Sequence, residues 1–227
     1  MGIVRIMLTV IEGRVLGSLL EKERTTPDAY PLTLNALVSA CNQSTSREPV
    51  MRLDDHEVEA ALLSLKGQGL LRFVHPTHGR SVTRYRQVVD ESWGIEPDAA
   101  AVLSVLLLRG PQTAAELRSR TERQHEFSSV DAVEVVLQQL AAAAHVVQLE
   151  RQPGQKEARW QQRVAEEPEV TWSAAPVNAD AVRGSMADRV AQLEAKVARL
   201  EAALADLLPP ESSDLPLPPP AETPHPV

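Results

Sequence analysis

The fold is indicated most clearly by residues 54–74, DDHEVEAALLSLKGQGLLRFV, which join a helix to a strand. Acidic residues at the start of this stretch stabilise the positive N-terminal end of a helix. The apolar residues fall on one helical face: Val58, Ala61, Leu62 and Leu65. Gly67 and Gly69 are typical helix stops, and the apolar run 70–74 favours a strand. The stretch therefore predicts helix, turn and strand in that order.

Two further helices are predicted upstream, and a second strand downstream. Helical spacing of apolar residues covers 12–24, and a turn follows at 27–31 because proline restricts the residue before it. A second helix starts with Leu32 and ends near Asn42. Residues 82–89 read as a strand that closes a hairpin. Three helices followed by a hairpin are the order of a winged helix-turn-helix.

The same order recurs at an offset of 75 residues. Adding 75 to Val58, Leu62, Leu65 and Tyr85 gives Val133, Leu137, Leu140 and Trp160. The second set of elements is predicted at 97–108, 111–120 and 128–144, with strands at 146–150 and 157–164. We therefore expect a mainly α fold with small β-hairpins, built as two tandem winged helix-turn-helix domains at residues 7–90 and 91–164.

The C-terminal part has a different pattern. Residues 165–184 read as a linker, 185–208 as a coiled-coil helix, and the Pro-rich acidic tail 209–227 as disordered. The heptad positions a and d hold Val190, Leu193, Val197, Leu200, Leu204 and Leu207. Val at a with Leu at d favours a parallel dimer. The alternative is a helix that lies back on its own chain, since three heptads alone are marginal.

Composition places the chain among globular proteins of a reducing compartment. Cys41 is the only cysteine in 227 residues, so no intramolecular disulfide can form, and we expect a cytoplasmic protein. The apolar N-terminus is too short for a signal peptide or a membrane span, and translation could start at Met1 or Met7. Of the net charge of −8, most belongs to residues 166–227, which hold eleven acidic and four basic residues. The remaining residues, 1–165, are together nearly neutral.

Several long segments resemble the YceH-like family of uncharacterised bacterial proteins. The first is RVLGSLLEKERTTPDAYPLTLNALVSACNQSTSREPV at 14–50, followed by HEVEAALLSL at 56–65. In the second half they are LLLRGPQTAAELRSRT and EFSSVDAVE. The resemblance covers roughly residues 7–164. It implies two tandem winged-helix domains, in agreement with the repeat, and it implies no activity.

The first hairpin carries a cluster of arginines that suits phosphate binding. Arg80, Arg84 and Arg86 lie on it, Arg72 is just upstream, and no acidic residue occurs between 73 and 89. The second hairpin carries Arg151, Lys156, Arg159 and Arg163. Acidic residues at the start of both third helices oppose ordinary docking in a DNA groove. The alternative is that the arginines form only a solvated surface.

A polar corner between the second and third helices is the other candidate contact surface. It comprises Asn42, Gln43, Ser44, Ser46 and Arg47. Uncharged polar groups at this point of a helix-turn-helix can bind the DNA backbone, or a peptide. The alternative is structural: Asn42 caps the second helix, and the others bond to loop carbonyls.

Nothing in the sequence indicates catalysis, a metal site or a cofactor. Cys41 has the spacing of a core residue, and His75 with His78 lacks further ligands for zinc. We therefore expect a non-enzymatic protein that binds double-stranded DNA in transcription regulation, has no membrane association and dimerises through its C-terminal helix. The alternative is an adaptor that uses its winged helices to dock a protein partner.

Overall fold

Seven α-helices and five short β-strands form the part of the chain that the structure describes, residues 7–75, 82–151 and 154–168. The structure is a computed structural model. The helices are α1 Val10–Thr25, α2 Leu34–Cys41, α3 Asp55–Gly67, α4 Val89–Trp93, α5 Pro97–Arg109, α6 Ala114–Thr121 and α7 Val130–Ala142. The strands are β1 Leu32–Thr33, β2 Leu71–Val74, β3 Arg84–Gln87, β4 Val146–Gln148 and β5 Trp160–Gln162. The chain is thus mainly helical with small antiparallel sheets, as predicted.

The helices begin where side chains satisfy their first N–H groups. Thr9, Asp54 and Thr113 precede α1, α3 and α6, and each accepts a hydrogen bond from the backbone N–H of a glutamate three residues later. The glutamate side chain bonds back to the N–H of the capping residue, which completes a capping box. Each of the six helices predicted within residues 7–164 is present, with its ends shifted by a few residues.

Two elements differ from the prediction. The helical spacing predicts Leu32 in the second helix, but Leu32 lies in β1 and pairs with Tyr85 of β3. α2 therefore begins at Leu34, two residues later than predicted, with Thr33 as its N-cap. The sequence predicts a strand as far as Val89, but β3 ends at Gln87 and the short helix α4 follows. The side-chain oxygen of Gln87 accepts the N–H of Val89 at 2.6 Å, which turns the chain out of the strand.

The repeat extends to the hydrogen bonds of the two sheets. In the first sheet, of order β1-β3-β2, Tyr85 lies between Leu32 and Phe73. In the second, β4 pairs with β5, and an isolated bridge between Gln112 and Trp160 occupies the place of β1. In each half, a residue between a proline and the N-cap threonine of the second helix pairs with the closing aromatic residue. The two tripeptides are Pro31-Leu32-Thr33 before α2 and Pro111-Gln112-Thr113 before α6.

Both halves contribute to one hydrophobic core. It includes Leu16 and Leu19 of α1, Leu103 and Leu106 of α5, and the buried faces of α3 and α7. α1 and α5 come close because α1 presents Gly17, at which an added Cβ would lie 3.0 Å from side-chain atoms of Leu107 and Leu108. The division into domains at residue 90 remains a prediction from sequence.

Several predictions fall outside the described residues. They concern Arg80, the linker beyond Pro168, the heptads from Val190 to Leu207, and the tail 209–227. Among the helices that the structure describes, none combines the length and the apolar character needed to cross a membrane.

Candidate nucleic-acid interface

Three arginines share the outer face of the first sheet. Side chains alternate along a strand, and residues paired across two antiparallel strands project to the same side. Arg72 pairs with Arg86, and Val74 pairs with Arg84. The residues that alternate with them along the strands project to the other side, where Leu71 and Gln87 are buried and Phe73 and Tyr85 are partly buried. We call Arg72, Arg84 and Arg86 the basic sheet face.

Arg72 and Arg86 are bridged by one carboxylate. Like charges directly opposite each other in a sheet repel. Glu91 of α4 relieves this repulsion: its Oε2 lies 2.5 Å from Nη2 of Arg72, and its Oε1 lies 3.1 Å from Nη2 of Arg86. The side chains of Arg72, Arg86 and Glu91 are 57%, 34% and 42% exposed, so the cluster stays accessible to solvent.

Arg84 fixes the hairpin to the turn before α2. Its Nη1 donates to the carbonyl oxygen of Pro31 at 2.8 Å, while the residue as a whole is exposed. Arg159, 75 residues later, donates from Nη1 to the carbonyl of Pro111 at the same distance. Arg159 also forms an ion pair with Glu116 at 2.9 Å, whereas Arg84 has no carboxylate partner among the described residues. The charge of Arg84 is therefore left available.

The second sheet lacks the paired arginines. Val147 and Gln161 stand where the repeat places Arg72 and Arg86, and they face each other across β4 and β5. Outside those strands, Arg151, Lys156 and Arg163 are exposed. In the part of the chain that the structure describes, only the first sheet has several arginines on one of its faces.

An aromatic layer lies behind the basic sheet face. The rings of Phe73 and Tyr85 meet edge to face, with centroids 5.0 Å apart. Nζ of Lys66, at the end of α3, lies 4.3 Å from the Phe73 ring centroid, a cation–π contact. Burial and the nearby charge of Glu59 raise the pKa of Tyr85. The layer supports the sheet, and a shallow groove along β2 is lined by Lys66, Arg72, Phe73, His75 and Ser92.

The exposed faces of α3 and α7 have a different character. Leu63 of α3 is 63% exposed beside the exposed Glu59 and Ala60. Val135 of α7 is 58% exposed next to Glu134, and α7 contains no Lys or Arg. Acidic and apolar side chains suit a protein partner better than phosphate, so these helices are weak candidates for entering a DNA groove.

The polar corner is mostly occupied by bonds within the protein. Nδ2 of Asn42 donates to the carbonyl of Leu53, and the N–H of Leu53 donates to Oδ1 of Asn42, both at 2.7 Å. This pair of bonds ties the end of α2 to the start of α3. Gln43 accepts from Lys22 at 3.4 Å, and Ser44 is exposed. Asn42 is also the C-cap residue of α2, and its side chain is engaged within the protein.

Arg47 is buried, with only 3% of its surface exposed. Its Nε donates to the carbonyl of Ala40 at 3.0 Å, and its two Nη atoms lie 3.2 and 2.6 Å from the carboxylate oxygens of Glu21. Ser46 accepts from Arg109 at 2.5 Å. The structure does not bring Arg47 and the basic sheet face together as one exposed surface.

Two further polar side chains, those of Arg14 and Cys41, are buried in the core. Nη1 of Arg14 donates to the carbonyl of Cys41 at 3.1 Å, and Nη2 donates to that of Pro49 at 2.6 Å. Burial lowers the pKa of Arg14 to about 10 and raises that of the Cys41 thiol. Within the described ranges, no group of three or more His, Cys, Asp or Glu could hold a metal ion.

Comparisons with known proteins match residues 8–155 to the family described as "Protein of unknown function, DUF480". A UPF0502 protein of Dechloromonas aromatica is 44% identical over 203 residues, which cover 87% of this chain and 94% of the relative. One of Solibacter usitatus is 48% identical over 198 residues, covering 86% and 94%. One of Chromobacterium violaceum is 46% identical over 198 residues, covering 86% and 88%.

Proposed function

The chain belongs to the DUF480 family, as the resemblance predicted, and we propose that it is a cytoplasmic, non-catalytic tandem winged-helix protein that binds double-stranded DNA in regulation. The observation that carries the proposal is the basic sheet face, where Arg72, Arg84 and Arg86 project from the strands of one hairpin. The order of three helices and a hairpin in each half supports the winged-helix interpretation.

In this proposal the first sheet, and not helix α3, makes the main contact with DNA. Arginines that neutralise phosphates release condensed counterions, and this provides most sequence-independent affinity. The acidic start of α3, with Asp55 and Glu57, keeps that helix end away from phosphates. Contacts through the hairpin position the protein on the duplex without reading its bases. We therefore expect affinity that depends strongly on salt and weakly on sequence.

The test is a titration of duplex DNA at several salt concentrations. The double variant Arg72→Ala/Arg86→Ala should bind more weakly and reduce the slope of log K against log[salt] by about 2. Arg163→Ala removes an exposed arginine from the second hairpin and should leave both quantities unchanged. Absence of binding at low salt, or equal losses in the two variants, would rule the proposal out.

The second candidate function is docking of a protein partner, as in an adaptor. It is favoured by the exposed Leu63 among the acidic residues of α3. In a pulldown from bacterial lysate, wild type should then recover a protein partner even after nuclease treatment and at high salt. Leu63→Ser should abolish this recovery and leave DNA affinity unchanged. Recovery that disappears with nuclease treatment would contradict the adaptor function.

Dimerisation through the C-terminal helix belongs to the same proposal and rests on the heptad pattern from Val190 to Leu207. A dimer would carry two basic sheet faces and gain affinity by binding with both. Light scattering should give a dimer mass for the full chain and a monomer mass for a chain ending at Pro168, which keeps the bridge between Leu8 and Ala165. Equal monomer masses would exclude the dimer.

A further inference from the structure

We propose that the carboxylate of Glu91 occupies a phosphate site formed by Arg72 and Arg86, and that a nucleic-acid phosphate binds there by replacing it. The inference rests on the proposed DNA binding and adds a defined anion site to it. Glu91 then acts as an internal competitor that sets how tightly the basic sheet face holds a polyanion.

The geometry of the cluster suits a phosphodiester. Each oxygen of Glu91 is held by the Nη2 atom of a different arginine, at 2.5 and 3.1 Å. A phosphodiester offers two non-bridging oxygens, which share one negative charge as the carboxylate oxygens do and can bridge the same pair of guanidinium groups. Arg72 and Arg86 are direct cross-strand neighbours, so the sheet fixes the separation of their backbones before any ligand binds.

The ion pairs in the cluster can be exchanged because they are exposed. Glu91 is 42% exposed, and ion pairs in contact with water contribute little to stability. Neither Arg72 nor Arg86 bonds to any carboxylate other than Glu91 in the described parts of the chain. A phosphate therefore has one group to displace, and displacement frees Glu91 to be solvated on the side of α4.

The second half provides an internal comparison. Glu166 lies 75 residues after Glu91, but Val147 and Gln161 replace the two arginines. The acidic residue recurs without the cations that it bridges in the first half. The phosphate site is accordingly a property of the first half alone.

The test compares Glu91→Gln with Asp90→Asn, which removes the same charge from the neighbouring exposed residue of α4. Asp90 forms no ion pair in the described part of the chain. Wild type and both variants are titrated with duplex DNA and, separately, with inorganic polyphosphate. Glu91→Gln should tighten binding of both polyanions about tenfold, the effect of losing one charged competitor. Asp90→Asn should change binding by less than about twofold, because an exposed charge without a direct contact is screened.

Equal effects of the two variants, or an unchanged affinity of Glu91→Gln, would overturn the inference. If Arg72→Ala/Arg86→Ala weakens DNA binding while Glu91→Gln does not strengthen it, DNA binding stands and the displaced-carboxylate site fails. If Glu91→Gln strengthens polyphosphate binding but no variant binds DNA, the anion site stands and the proposed function fails. Thermal unfolding of each variant verifies that the fold is intact.

Discussion

Gly69 and Ala144 occupy the same turn in the two halves, 75 residues apart, and both have left-handed backbone, with φ of 74° and 56°. In each half the next residue donates its N–H to the carbonyl five residues earlier. Leu70 donates to Leu65 at 2.9 Å, and His145 donates to Leu140 at 2.8 Å. These bonds end α3 and α7 in the same way. Glycine adopts this conformation without cost, whereas alanine has a Cβ that crowds the following carbonyl.

We expect Ala144→Gly to raise the free energy of unfolding by about 1 kcal/mol, because it relieves this crowding. Ala144 is exposed, so the substitution removes no packing. The control is Ala143→Gly, at a φ of −82°, where glycine should lower the free energy by about 0.5–1 kcal/mol. Urea denaturation of the three proteins gives the comparison. An Ala144→Gly variant less stable than wild type would contradict the prediction.

Gly17→Val should destabilise the protein by about 2–3 kcal/mol, because the interface of α1 with α5 has no room for a larger side chain. A Cβ at this position already lies 3.0 Å from atoms of Leu107 and Leu108. Gly67→Ala is the matched control, since nothing lies within 4 Å of its added Cβ, and it should leave stability unchanged or raise it by about 0.5 kcal/mol. Thermal unfolding by calorimetry distinguishes the two; similar transition temperatures would count against a tight interface.

The ion pair of Glu21 with Arg47 should make stability depend on pH. Burial tends to raise the pKa of Glu21, but the hydrogen bonds and charge of Arg47, with a contribution from Lys22, outweigh it and leave the pKa below its ordinary 4.5. Stability from this pair is therefore complete above about pH 4.5 and is lost as the pH falls through the lowered pKa of the folded state.

Glu21→Gln removes the charge that Arg47 requires and should cost about 3 kcal/mol at pH 7. The difference from wild type should shrink below pH 4.5, as Glu21 of the wild type becomes protonated. Glu59→Gln, at an exposed position of α3, should differ from wild type by less than about 0.5 kcal/mol at neutral pH. Denaturant titrations between pH 3 and 7 measure the free energy of unfolding of wild type and of both variants. A Glu21→Gln difference that stays constant over this range would refute the role of the pair.

Cys41 should not react with thiol reagents in the native protein. The residue is fully buried, and burial raises the pKa of its thiol, which disfavours the reactive thiolate. In denaturant, one thiol per chain should react, since the sequence has a single cysteine. The variant Cys41→Ala/Ser44→Cys, with its thiol at an exposed position, should react without denaturant. Rapid modification of native wild type would show that the core opens near Cys41.

The sequence predicted the elements whose signals are local. The apolar faces of α3 and α7, with Val58 and Val133 both fully buried, follow from helical periodicity and recur at the predicted offset. It misassigned Leu32, because an apolar residue just before a helix fits either a helical face or a short strand. The pairing of Leu32 with Tyr85 depends on residues more than fifty positions away, which periodicity does not report.

The candidate sites also divide into features that local sequence shows and features that depend on contacts between distant residues. A hairpin with arginines was evident, and strand alternation could have placed Arg72 opposite Arg86 once the register was known. The role of Glu91 was missed because the five-residue α4 has too few residues for a periodic signal. For the polar corner, Asn42 and Arg47 suit external contact and internal bonding equally well by composition. Only their observed partners, Leu53 and Glu21, distinguish these roles.

The close approach of α1 and α5 at Gly17 also fixes the separation at which the two halves could meet one long ligand. Two modules joined by a flexible tether can adjust to sites at many distances. Here both halves contribute to one hydrophobic core, so the first sheet and the second are joined through packed side chains. Any ligand long enough to touch both halves would meet them at the spacing that this core sets.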